Sequence, residues 1–116
     1  YAYDKEVSAG TAVDYWTVPE KYNGKNITDI HIGCYATPSG SSITGQVRNV
    51  TDSEDIMSTK PEIEAGEYSS YTAASSPVVD TDHDDLATGD RLRFDVDSAG
   101  TGAEGLDFIL SIDMSS

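Results

Sequence analysis

The chain has 116 residues, enough for one two-layer core and too few for a second. Its 7 Lys plus Arg against 21 Asp plus Glu leave a formal net charge of −14, which disfavours nucleic-acid phosphates and anionic membranes as partners. Cys34 is the only cysteine, so no intrachain disulfide and no thiolate-built zinc site can form within these residues, and stability must come from packing.

In chain order, residues 1–8 read as an edge strand or as a linker to a preceding segment. The chain opens on Tyr1 with no charged-then-apolar signal, as a processed product or a fragment would. Thr11 to Val18 is rich in β-branched and aromatic residues, which suits a strand; Pro19 stops it ahead of the turn dipeptide Asn23–Gly24. Ile30, Ile32 and Cys34 alternate with His31, Gly33 and Tyr35 in a second strand, closed by Pro38, Ser39 and Gly40. Ile43 to Val50 follows as the next step of a meander or Greek key.

The stretch from Thr51 to Asp85 is the least regular. Thr51 or Asp52 is placed to N-cap a single helical turn through Ser53 to Met57, with Glu54 and Asp55 near its positive end and Pro61 beyond it. Ile63 and Val78–Val79 read as short extended pieces. Leu92, Phe94 and Val96 then alternate with Arg93, Asp95 and Asp97. After a loop with Gly100, Gly102 and Gly105, so do Leu106, Phe108, Leu110, Ile112 and Met114 with the residues between them. Short strands at such spacing predict one all-β domain over 1–116, an antiparallel β-sandwich of jelly-roll or Greek-key type.

Few residues point to chemistry. Asp80, Asp82, Asp84 and Asp85 crowd one loop around His83, a weak calcium candidate set against a plain solvated turn. The EF-hand pattern fails, since Asp85 stands where glycine and Arg91 where glutamate would be needed. His31 and His83 lie in no metal or triad spacing, and His31 reads as an outward-facing strand residue. No Gly-x-Ser-x-Gly elbow supports a serine hydrolase, and a sandwich of this length leaves little room for a deep cleft between paired carboxylates, so no enzyme is expected, and no cofactor besides the calcium candidate. The seven tyrosines and Trp16 are more informative. Tyr22, Tyr35, Tyr68 and Tyr71 are the binding candidates, able to meet a sugar or a protein neighbour, whereas Trp16 reads as core.

The order of several segments resembles a module of tailed-bacteriophage structural proteins. Those segments are Tyr15–Trp16–Thr17–Val18–Pro19, Gln46–Val47–Arg48–Asn49–Val50–Thr51, Ile63–Glu64–Ala65–Gly66–Glu67, Asp84–Asp85–Leu86–Ala87–Thr88–Gly89–Asp90 and Phe94–Asp95–Val96–Asp97. The resemblance implies a non-enzymatic β-sandwich on the virion surface, as a head decoration or as the tip of a fibre or spike. It further implies other virion proteins or copies of the chain as partners, in a homotrimer or on a lattice, with a host surface glycan as a further contact. The alternatives are a carbohydrate-binding or adhesin module, and a subunit of an extracellular filament.

Overall fold

The computed structural model describes Val7 and residues 10–113, without the side chains of 11–13. The period-two segments become the long strands and the irregular middle becomes short ones. In order these are β1 (Gly10–Thr17), β2 (Asn26–Gly33), β3 (Ile43–Asn49), β4 (Glu54–Asp55), β5 (Met57–Thr59), β6 (Glu62–Ile63), β7 (Val78–Val79), β8 (Arg91–Ala99) and β9 (Asp107–Asp113). Single 3₁₀ turns occupy Glu20–Tyr22 and Ser70–Thr72.

Every strand pair is antiparallel, and the domain is an all-β sandwich. One layer has the order β1-β8-β3-β4, with β6 also on β3; the facing layer is β2-β9, and β5-β7 forms a small third sheet. The steps from β2 to β3 and from β8 to β9 each cross from one layer to the other. Neither is a hairpin within one sheet.

The interior follows from side-chain parity. Val47, Leu92 and Phe94 of the larger sheet meet Ile27 and Ile30 of β2 and Phe108, Leu110 and Ile112 of β9. Phe108 fixes the spacing between layers. Its ring lies 5.0 Å from that of Phe94 and rests on Gly45, where an added Cβ would come 3.1 Å from the ring. A second cluster of Ile32, Ile43, Ile63, Val96 and Leu106 fills the other end, and each such buried aliphatic contributes about 1.5–3 kcal/mol.

Ile27 and Ile30 are out of phase for a regular strand, yet both are buried. A register shift between Ile27 and Asp29 reconciles them by letting Thr28 bulge from the ladder. Beyond it, Ile30 and Ile32 point inward while Asp29 and His31 point outward.

One expectation needs correction. No helical turn forms over Ser53–Met57: the chain turns at Val50–Ser53, with Ser53 at φ 56°, and pairs back on β3 through Arg48 with Asp55 and Asn49 with Glu54. One helical turn returns little for its nucleation cost, whereas the hairpin gains ladder bonds and an Arg48–Asp55 ion pair at 2.9 Å. The Asn49 amide is fully buried; it donates to Asp90 and Asp52 and accepts the Asp52 N–H, so Asp52 is drawn into a turn in place of a cap. The edge strand expected over Tyr1–Val7 lies outside the described residues apart from Val7, which is buried and donates its N–H to Ala103 O at 2.8 Å.

Candidate binding surface

The outer face of the smaller sheet carries the densest polar and aromatic arrangement among the described residues. At its centre is His31, which faces outward as expected but is only 9% exposed, because the Ser70–Thr72 turn lies over it. That turn is tied down by the backbone, with Gly33 bridging to Ser69 and the Cys34 N–H donating to Tyr68 O at 2.9 Å. Tyr71 then stacks on the imidazole, with ring centroids 3.8 Å apart and planes 17° from parallel.

Beneath the ring, His31 Nε2 lies 2.9 Å from Asp29 Oδ2 and Nδ1 lies 2.8 Å from Ser70 Oγ. The Ser70 hydroxyl donates to Nδ1 or to the Ile32 carbonyl oxygen 3.3 Å away, according to which imidazole nitrogens carry a proton. The Ser70 oxygen in turn accepts the Ile32 N–H at 2.9 Å. The residue types are those of a nucleophilic triad, but Ser70 is 1% exposed and sealed under the turn, so no substrate carbonyl can reach its oxygen in this geometry. The arrangement acts as a strut that holds the turn on β2.

Around the strut stand Tyr35, Tyr68 and Tyr71, which are 64%, 64% and 61% exposed. Tyr35 directly follows Cys34, and its N–H donates to Glu104 O at 2.9 Å, so all three tyrosines spring from backbone fixed at the end of β2. Tyr22 is not with them. It packs edge-on against Trp16 with centroids 5.7 Å apart, and Lys21 Nζ lies 5.5 Å from its ring centroid. Trp16 is itself half-buried and reaches the core from one edge.

The acidic loop is tied to β4 through His83. Asp80 accepts the Asp82 N–H; His83 bonds the Asp55 carbonyl at 3.1 Å and pairs with Asp80 and Glu54 at 3.3 and 3.4 Å. Among the described residues no group of three or more His, Cys, Asp or Glu is placed to hold a metal ion. Partial desolvation lowers the His83 pKa, but the Asp55 carbonyl and then Glu54, Asp80 and Asp82 outweigh it and hold the ring above its ordinary value. Asp84 faces a cleft of about 500 Å³ between β2 and β7, and burial, then Asp85, raises its carboxyl. Asp85 bridges to Asn26 through the backbone, pinning this loop to the start of β2. Cys34 is half-buried, and burial followed by the Asp107 carboxylate pushes its thiol up.

Fold and surface together define an all-β sandwich with three exposed tyrosines carried on hydrogen-bonded backbone beyond the end of β2. No family model, no curated protein and no solved structure matches the chain.

Asp29 and His31 share one side of a strand, and that i, i+2 spacing was the signal for half of the strut. Ser70 lies in a Ser, Thr, Ala and Tyr stretch with no pattern to mark which hydroxyl turns inward.

Proposed function

We propose that this chain is a non-enzymatic structural module of a tailed-bacteriophage virion, carried on the particle surface as a capsid decoration or as a fibre or spike tip, and that it docks through Tyr35, Tyr68 and Tyr71. The virion part rests on the order of segments that resembles that module. The docking part rests on one observation: three tyrosines more than half exposed are mounted on hydrogen-bonded backbone instead of a loose loop. Rigid aromatic side chains give contact area at little entropic cost, which suits a face that meets other virion proteins or further copies of the chain in a trimer or lattice. Many copies per particle would make weak individual contacts sufficient.

Antibody raised against the chain is expected to label intact purified particles. Tyr35→Ser with Tyr68→Ser is expected to weaken incorporation about tenfold, with folding of the double variant checked by circular dichroism. Absence of the chain from purified particles would refute the virion role. Undiminished incorporation of the double variant would refute the docking face alone.

A second reading, a carbohydrate-binding module, is favoured by the Tyr71 ring standing beside the Asp29 carboxylate through His31, since sugars are gripped by ring faces and acceptor oxygens. A glycan array probed with and without calcium separates it from the first, because only this reading expects a saturable glycan signal lost in Tyr71→Ala.

A further inference from the structure

All three arginines of the chain, Arg48, Arg91 and Arg93, stand on adjoining strands of the larger sheet. Arg93 is the ladder partner of Tyr15 on one side and of Arg48 on the other, and Arg91 lies opposite Thr17 in β1. Trp16 and Leu92, the residues between them, pack on the core, so parity turns Tyr15, Arg91 and Arg93 to the outer face.

Two of the guanidinium groups are already neutralised. Arg48 pairs with Asp55 at 2.9 Å, and Arg93 holds both oxygens of Asp95, Nε on Oδ1 and Nη2 on Oδ2, each at 2.9 Å. Arg91 is exposed and has no carboxylate partner among the described residues. The carboxylate next to it in sequence, Asp90, is buried and accepts from the Asn49 amide and the Ala87 N–H, so it is occupied inside the fold. Beside Arg91 lies a hollow of about 320 Å³, lined by Tyr15, Val50, Arg91, Leu92 and Arg93 and walled mainly by carbon. Tyr15 is 67% exposed, more than any other large apolar side chain among the described residues. The backbone that carries Arg91 is fixed, since the Val50 N–H donates to Arg91 O at 2.8 Å and the Arg91 N–H donates to Thr51 Oγ1 at 3.0 Å.

Water suffices for an exposed guanidinium, but it does not serve a carbon-walled hollow or an uncovered phenol ring. A ligand that serves all of these carries an anion and a flat apolar body together. The planar guanidinium pairs a carboxylate through two parallel N–H bonds, and an aromatic ring stacks on Tyr15. The volume is at the small end of ligand sites, which suits a single ring. Charge limits the anion. With Arg48 and Arg93 neutralised on a chain of net charge −14, each further negative charge on a ligand is repelled, which disfavours nucleotides, sulfated polymers and strongly acidic peptides.

We infer that the hollow between Tyr15 and Arg91 binds a small monocarboxylate carrying one aromatic ring. The site is on the larger sheet and shares no residue with the tyrosines proposed to dock, so either reading can fail without the other.

Phenylacetate is the probe, followed through the amide and arginine side-chain NMR signals of the protein. It is expected to move the Tyr15 and Arg91 signals saturably in about the millimolar range, as fits a ligand of about ten heavy atoms on an open surface. Phenylacetamide keeps the ring without the charge and acetate keeps the charge without the ring, so each is expected to bind at least about tenfold more weakly. Arg91→Gln and Tyr15→Ser are expected to lose binding by a similar factor, while Lys60→Gln, which also removes one positive charge, keeps it. If a variant does not fold, the ligand comparison and the map of shifted signals still decide. Equal binding by acetate would reduce the site to plain charge, and equal binding by phenylacetamide to plain apolar contact; either overturns the inference. So would shifts that map away from Tyr15 and Arg91, or no saturable shift at all. Tighter binding by acetylated Ala-Ala-Phe, whose ring and carboxylate stand at a chain end, would assign the hollow to a protein C-terminus and overturn the free ligand.

Discussion

Ser70→Ala removes a single oxygen from a site that is 1% exposed, and the hydrogen bonds around it set the cost. The oxygen accepts the Ile32 N–H at 2.9 Å, and the hydroxyl meets His31 Nδ1 at 2.8 Å. Alanine fills nearly the same space but leaves a strand amide and a ring nitrogen without a partner under the Tyr71 ring. A stranded buried polar group costs about 1–3 kcal/mol, so a total loss of about 3 kcal/mol is expected. In a domain of this size that lowers Tm by roughly 10 °C. Urea unfolding followed by circular dichroism measures it, with an unchanged m value expected because the same surface is exposed on unfolding. Tyr71→Ala, which uncovers the ring but leaves its bonds, is expected to cost only about 1 kcal/mol. A Ser70→Ala protein within about 0.5 kcal/mol of wild type would refute the reasoning, since the turn would then be held by its backbone contacts alone.

Gly45→Ala places a Cβ 3.1 Å from the Phe108 ring in the middle of the sandwich, and a loss of about 1–3 kcal/mol is expected from denaturation curves. Gly100→Ala is expected to cost more, because φ is +66° there and the new Cβ meets Pro38 Cβ at 2.8 Å and Ser41 O at 3.0 Å. By NMR titration His83 is expected to show a midpoint above the ordinary 6.5, falling in Glu54→Gln and in Asp80→Asn. A raised folded pKa means that the protonated ring favours the fold: this contribution is complete below about 6.5 and fades as pH climbs through the higher folded value. A midpoint below 6.5 would contradict it. Cys34 is expected to alkylate more slowly than a free thiol at pH 8, and faster in Asp107→Asn, which removes one of the two causes of its raised pKa.

The long strands were legible because one buried face imposes period two. Leu92, Phe94 and Val96, and likewise Phe108, Leu110 and Ile112, can lie on one side only if the chain is extended. Which sheet each strand joins was not legible. Alternation says that a face is buried, never against what, so the crossings from β2 to β3 and from β8 to β9 emerge only in three dimensions. The turn at Thr51–Ser53 was misread because Asp52 suits a helix start and a tight turn equally, and the choice was made by Asn49 from the neighbouring strand. Tyr71 over His31 and Ser70 under it are tertiary contacts, and local pattern carries no record of them. Of the four tyrosines singled out, three lie near one another in the backbone because β2 ends where the Tyr68–Tyr71 segment returns. Tyr22 lies in the turn after Pro19 and is tied to Trp16 instead.

The pairing register has a consequence for biosynthesis. Tyr15 finds its ladder partner in Arg93, and Ile30 finds its own in Leu110, so the first strands of both layers wait for strands made last. The larger wall cannot close before β8 has left the ribosome, nor the smaller one before β9, and until then Ile27 and Ile30 lack the cover of Phe108, Leu110 and Ile112. Such long-range closure favours folding in milliseconds to seconds over microseconds. Nascent chains stalled short of β9 are therefore the form most in need of a chaperone.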